Sequence, residues 1–291
     1  MVDARCLLTV HAHPDDESSK GPATVAKYHA AGVETVLVCC TGGEEGEIIN
    51  KAVVLAEGET LGERRAAELE EACAIIGYDH LRWLGYRDSG MPDSPANARP
   101  DAFANAPLDE AVSRLVAIVR HHRPQVIVTY PEAQHEYPHP DHLRAHEIAA
   151  AAFDAAADPS YHPELGAAHL IAKLYFTVWP AERMLKLHEA YLARGLESPY
   201  TSEFLERMGR VEPFTTTIDV TGFADVRDRA LMAHATQIDP DSKWWFGLPQ
   251  DVRDSVHPFE HYLLARSRVG SVDVEEEDLF AGVGHDDLED S

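Results

Sequence analysis

Two short segments of this chain carry the same chemistry-bearing residue types at similar spacing. Ala12-His-Pro-Asp-Asp-Glu17 follows the apolar run Cys6-Leu-Leu-Thr-Val-His11, and more than a hundred residues later Tyr137-Pro-His-Pro-Asp-His142 repeats the pattern. Imidazole nitrogens and carboxylate oxygens ligate borderline divalent cations. His13, Asp16 and His142 together offer two imidazoles and one carboxylate, a set suited to zinc or ferrous iron, and a position left to water turns such a centre toward hydrolysis. His13 and Asp16 lie three apart around Pro14 and can face one ion, which leaves Asp15 free to take a proton from water. In the second segment His139 is placed to give a proton to a departing amine and Tyr137 to hydrogen-bond a developing oxyanion. Asp141 suits the task of orienting an imidazole through its other nitrogen. Either segment alone reads equally well as a turn with a helix cap; the two together favour a shared ion. Most of the other histidines, among them His29, His80, His121, His122 and His188, are expected to be surface or structural residues.

The elements that must bring these segments together follow from periodicity. Strand-like runs at Cys6–His11, Thr35–Cys40, His80–Leu84 and Gln125–Thr129 alternate with helical patterns at Pro22–Ala31, Gly62–Ile76, Leu108–His121 and Asp141–Ala156. Such alternation predicts an α/β, Rossmann-like, mostly parallel sheet with helices on both faces. In strand order 3-2-1-4-5 the first and fourth strands are neighbours where the winding reverses, and a ligand crevice forms at their C-terminal ends, where both His-Pro-Asp segments sit. Further on, Lys173–Val178 and Thr215–Val220 read as strands, and Pro180–Arg194 and Ala224–Ala235 as helices. Pro199–Pro213 reads as loop or short helix, and residues 240–262 show no clean period. Residues 1–180 are therefore expected to form the metal-binding catalytic core. A smaller C-terminal α+β portion, 181–270, would complete the same domain and its pocket.

Composition narrows the partners. The 291 residues carry a net charge of −25, and the segment from 271 to 291 holds nine acids with no Lys or Arg, so it is expected to be a flexible tail. That balance repels phosphate backbones and anionic lipid, which argues against nucleic acid and membrane surfaces as partners and for a small molecule. Oligomeric state is not legible. Cys6, Cys39, Cys40 and Cys73 lack CxxC spacing and read as reduced core residues, as in a cytoplasmic protein. With no leader-like start and no apolar run of 18 residues, neither export nor membrane insertion is expected.

With these motifs in hand, the chain resembles the LmbE-like family of zinc-dependent N-deacetylases and amidases over most of residues 6–280. The resemblance rests on His11–Gly21, Thr41-Gly-Gly-Glu-Glu-Gly-Glu47, Arg87-Asp-Ser-Gly90, Tyr137–His142, Ala233-His-Ala-Thr-Gln-Ile-Asp-Pro240 and Leu264-Ala-Arg-Ser-Arg268. It implies a Rossmann-like fold and a mononuclear zinc site, sometimes loaded with ferrous iron. By position, it implies that His13, Asp16 and His142 are the ligands and Asp15 the general base. His139 is implied as the imidazole that stabilises the transition state and acts as general acid, and Tyr137 as the residue that polarises the substrate carbonyl. It further implies sugar contacts by Arg65 and Asp88, with Glu47 near a glucosamine. Glu17–Gly21, Tyr137-Pro138, Ile238–Pro240 and Leu264–Arg268 resemble the branch that cleaves the cysteinyl–glucosamine amide of mycothiol S-conjugates to a mercapturic acid and glucosaminyl inositol. The alternative within the family removes acetate from N-acetylglucosaminyl inositol. A third possibility, of a different class, is a metal-binding ligand sensor without catalysis.

Overall fold

In the computed structural model, which describes residues 5–132, 138–208, 214–272 and 275–284, one sheet organises the chain. Its strands are β1 (Cys6–His11), β2 (Glu34–Thr41), β3 (His80–Tyr86), β4 (Val126–Thr129), β5 (Lys173–Val178), β6 (Thr216–Asp219) and β7 (Phe259–Ser267), in the order β3-β2-β1-β4-β5-β7-β6. The first five pair in parallel in the expected 3-2-1-4-5 order. β7 runs antiparallel to β5, and β6 antiparallel to β7. β1 pairs with β2 on one side and with β4 on the other, and every residue of β1 and β4 is buried. A strand covered on both faces needs apolar residues at nearly every position, which is what Leu7, Leu8, Val10, Val126, Ile127 and Val128 supply.

The helices are α1 (Asp16–Ser19), α2 (Pro22–Ala30), α3 (Leu61–Ile76), α4 (Leu108–His122), α5 (Pro140–Ala155), α6 (Ala181–Leu192), α7 (Ser202–Met208), α8 (Asp225–Ala233), α9 (Lys243–Phe246) and α10 (Gln250–Val256). Their boundaries have local causes. Thr60 and Glu63 close a capping box at the start of α3, and Gly77, at φ 95°, ends it in the left-handed region. Pro140 begins α5 where a missing N–H costs nothing. One core joins the sheet to α4 and α5, a second packs α2, α3 and α8 on the other face, and a satellite cluster gathers α6, α7 and α10 around Met184, Tyr191 and Tyr200. All four cysteines are buried thiols. No helix among the described residues is long and apolar enough to cross a membrane.

Two expectations fail here. The stretch 240–262, read as aperiodic, contains α9, α10 and the first part of β7, a nine-residue strand between β5 and β6. Its pattern is broken by Glu260, buried because its carboxylate accepts the Thr24 N–H (2.8 Å) in the first turn of α2 and pairs with Arg227. The tail is not wholly free either. Glu276 accepts from the fully buried Lys173 (2.5 Å), and Leu279 and Phe280 are buried against Tyr28 and the second core. A charge count overlooks two apolar residues that anchor an acidic segment. Leu279→Ala is therefore expected to cost about 2–3 kcal/mol in urea unfolding, as for a core leucine; a loss below about 0.5 kcal/mol would mean that the segment contributes no core.

Candidate metal centre and active site

The carboxyl ends of the neighbouring strands β1 and β4 meet at the site. After His11 the chain turns through Pro14 and Asp15 into α1; after Thr129 it reaches Tyr130 and, beyond the residues left undescribed, His139 and α5. Asp15 holds φ 108°, a left-handed conformation that a non-glycine residue adopts at a cost of about 1–3 kcal/mol, so the surroundings must impose it. They do so with three contacts. The Asp15 N–H donates to Glu17 Oε2 (2.9 Å), Arg65 bonds the Pro14 carbonyl, and Arg65 Nη2 lies 3.2 Å from Asp15 Oδ2. Arg65 also donates to the Gly43 carbonyl (2.8 Å), and at Gly43, φ 66°, any side chain would collide with the guanidinium.

His13, Asp16 and His142 converge. Their ligand atoms all lie within 4.8 Å of one another, and all three residues are buried. Asp16 Oδ2 faces His13 Nδ1 and His142 Nε2 at 3.4 Å each, and it accepts the Tyr130 hydroxyl (2.6 Å) and the His13 N–H (3.0 Å). Asp16 Oδ1 takes Lys20 Nζ at 2.6 Å. On the far side of His13, Nε2 sits 3.2 Å from Asp141 Oδ2 and 3.4 Å from Asp88 Oδ1. Asp141 is in turn fixed by the Ser89 N–H (2.9 Å) and hydroxyl. His139 caps α5, its Nδ1 accepting the Asp141 N–H (3.2 Å), and packs edge-on to His13 with ring centres 4.4 Å apart.

Electrostatics follow from this crowding. Burial alone would discourage a proton on His13, but hydrogen bonds to Asp141, Asp16 and Asp88 outweigh it and hold the imidazole well above its ordinary value. Burial likewise opposes charge on Asp16, yet Lys20 and His142 keep its carboxyl well below the usual range. Burial pushes Asp15 up, and Arg65 only partly opposes it. Burial, then His13 and His142, bring His139 down to about 4. Three carboxylates crowd one imidazole, and two imidazoles and a carboxylate converge from separate elements; that donor set fits a divalent cation of the zinc or ferrous type.

The expected residues divide in this geometry. His13, Asp15, Asp16, His139, Asp141 and His142 come together; Tyr137 lies outside the described residues. Arg65, expected at a sugar, is 4% exposed and bound to protein acceptors, so it braces Asp15 instead. Asp88, expected likewise, is buried, accepting the Gly90 N–H (2.8 Å) and Glu45 N–H (3.2 Å) beside His13. Glu47 is exposed, its carbonyl held by Gln237 (3.0 Å). Tyr130 went unnoticed, although it directly follows the fourth strand. Its ring stacks on His142 (centres 4.3 Å apart), and its hydroxyl accepts the Ala12 N–H (2.7 Å) while bonding Asp16. Tyr130→Phe is expected to weaken retention of a divalent cation about tenfold in competition with a chelating dye, the lower end of what groups bonded to a metal-holding carboxylate contribute. Parent-like retention would show that the hydroxyl does not hold Asp16.

The family model described as PIG-L, GlcNAc-PI de-N-acetylase, matches residues 8–153. The chain is 44% identical to "Mycothiol S-conjugate amidase" of Streptomyces coelicolor over 97% of this chain and 99% of that protein. It is equally 44% identical, with the same coverage, to "1D-myo-inositol 2-acetamido-2-deoxy-alpha-D-glucopyranoside deacetylase" of Geodermatophilus obscurus. A protein of that second name from Rhodococcus erythropolis is 42% identical over 97% of this chain and 99% of its own length. In fold it is similar to the N,N'-diacetylchitobiose deacetylase of Pyrococcus horikoshii, with TM-score 0.59 and 18% identity over 89% of this chain and 83% of that one.

Proposed function

Because the chain belongs to the PIG-L, or LmbE-like, family of hydrolases acting on carbon–nitrogen amide bonds, we propose that it hydrolyses the amide on the glucosamine nitrogen of a glucosaminyl inositol, with acetyl as the acyl group removed. The observation that carries this reading is the convergence of His13, Asp16 and His142 with Asp15 at their edge. Those three residues would hold the cation, zinc by preference and ferrous iron as a second choice. When bound, the cation supplies Lewis acidity toward a carbonyl and makes a nearby water easier to deprotonate.

The chain's own groups do the rest. Asp15, braced by Arg65 and made more basic by burial, takes the proton of the attacking water. Asp141 holds the His13 ring in orientation through Nε2. His139 accepts the Asp141 N–H at Nδ1, so the neutral ring carries its proton on Nε2 and presents that donor to the charge developing on the amide. The proton taken from water returns to the departing nitrogen, leaving a carboxylate and an amine.

The sequence motifs favoured mycothiol S-conjugates as the substrate. The recurrence of the deacetylase name among similar proteins shifts the preference to N-acetylglucosaminyl inositol. One observation keeps the first reading in play: Lys20, in the Glu17–Gly21 segment that resembles the conjugate-cleaving branch, pairs directly with Asp16. Zinc-loaded protein should be offered N-acetylglucosaminyl inositol and a bimane conjugate of mycothiol side by side. Acetate release with the higher kcat/KM supports deacetylation. Faster mercapturate release would reverse the choice, and turnover of neither would end both.

A further inference from the structure

A second polar cluster lies away from the His–Asp centre. Trp179, Tyr191, Tyr200, Trp244 and Trp245 line a cavity of about 50 Å³ between α6, α9 and α10, and Arg183 and Arg227 enter its wall. Most cationic groups of this neighbourhood have an acidic partner: Arg227 is paired with Glu260, Arg253 with Asp228 at 2.7 Å, and Lys186 with Glu182 at 2.6 Å. Arg183 has none among the described residues. Its guanidinium lies 5.4 Å from the centre of the Trp179 ring and makes no ion pair. Burial, with Arg227 next, lowers its pKa to about 9, against the opposing pull of Glu260 and Asp228. Two buried polar atoms in the lining have no partner among the described residues: the Arg227 Nε–H, a donor, and Nδ1 of His257, a residue only 7% exposed. Arg183 is partly exposed, and the two carboxylates in the same lining are engaged elsewhere, Asp228 with Arg253 and Asp254 with the Gln250 amide (2.7 Å), so its guanidinium is a cation in the aromatic wall without a close counter-ion.

From this we infer that the cavity is a binding site for a small carboxylate, seated on Arg183 with its short carbon body against Trp179 and Trp244. A single uncompensated guanidinium matches a monoanion, and an aromatic lining of that volume suits a short acyl chain better than a phosphate with its dense hydration. A smaller cleft sharing Trp179, Arg183 and Arg227 is lined by Lys20 and Gly21, so Arg183 stands between the cavity and the segment that carries Asp16. Amide hydrolysis releases one carboxylate per turnover, and the cavity would accept it. That identification of the natural ligand rests on the proposed amide hydrolysis; the site itself rests on the unmatched guanidinium.

Three of the chain's four tryptophans line the cavity, and the fourth, Trp83, is on β3. Indole N–H signals of the ¹⁵N-labelled, zinc-loaded full chain therefore report on it directly. Titration with sodium acetate should move the Trp179, Trp244 and Trp245 signals saturably and leave Trp83 still. Sodium chloride at equal ionic strength should not reproduce this, and phosphate should bind more weakly. Arg183→Met should raise the midpoint about tenfold or more, and Arg183→Lys, which keeps the charge, should raise it less. Shifts that never saturate, that chloride or phosphate matches, or that survive unchanged in Arg183→Met would overturn the assignment. The titration involves no turnover, so its failure would leave the hydrolytic reading standing, and an inactive enzyme would leave the carboxylate site standing.

Discussion

Asp15→Asn is expected to lower kcat on the accepted substrate by about 10²–10⁴-fold while bound zinc stays near one per chain, because losing a general base commonly removes that much rate. The substitution isolates the proton transfer. Asparagine tolerates the left-handed conformation at φ 108° about as well as aspartate, and its side-chain oxygen can still face Arg65, so the turn that presents His13 and Asp16 should keep its shape. Metal analysis of the purified variant, a circular dichroism melt and steady-state kinetics give the three readings required. A variant with zinc retained and kcat within about threefold of the parent would move the base elsewhere, His139 being the nearest candidate. A parent protein with zinc bound and no turnover on any glucosaminyl inositol amide would instead favour a ligand sensor.

The same segment shows what the sequence could reveal. His13, Asp16 and His142 were legible because their types are rare together and because βα alternation placed their strands side by side, a topology that depends on handedness and burial rather than on detail. Asp141 was legible for the same reason, as a carboxylate one residue from His142. What was not legible depends on the third dimension. Tyr130 follows an apolar strand like any core tyrosine, and only the stacking of its ring on His142 and the direction of its hydroxyl disclose its role. Arg65 and Asp88 were expected to contact a sugar, and the structure buries both beside the site. Sequence position cannot tell a residue that touches substrate from one that holds its neighbour, and here burial decides. Strand β7 was missed because Glu260 and His261 interrupt its apolar pattern, and Glu260 is tolerated only because the start of α2 and Arg227 await it from elsewhere in the chain.

The second large effect is expected at Glu17, whose role is structural support from beneath. Glu17 and His234 are both fully buried and meet at 2.6 Å between Oε1 and Nε2. Burial works against charge on each. The attraction between them outweighs it, holding the Glu17 carboxyl below its usual range and the His234 imidazole above its own. The other Glu17 oxygen takes the Asp15 N–H, so one side chain ties α8 to the strained turn that carries Asp15. Glu17→Gln leaves the fully buried His234 without its counter-charge. Breaking one side of such a pair costs about 3–5 kcal/mol, more than the removal of any one contact around it. Urea unfolding of the zinc-loaded parent and variant gives the number directly. The cycle that adds His234→Gln alone and Glu17→Gln/His234→Gln separates mechanisms, because two neutral amides strand no charge and the double variant should be less destabilised than the two single losses combined. A Glu17→Gln loss below about 1 kcal/mol would mean that the pair is not ionised in the fold.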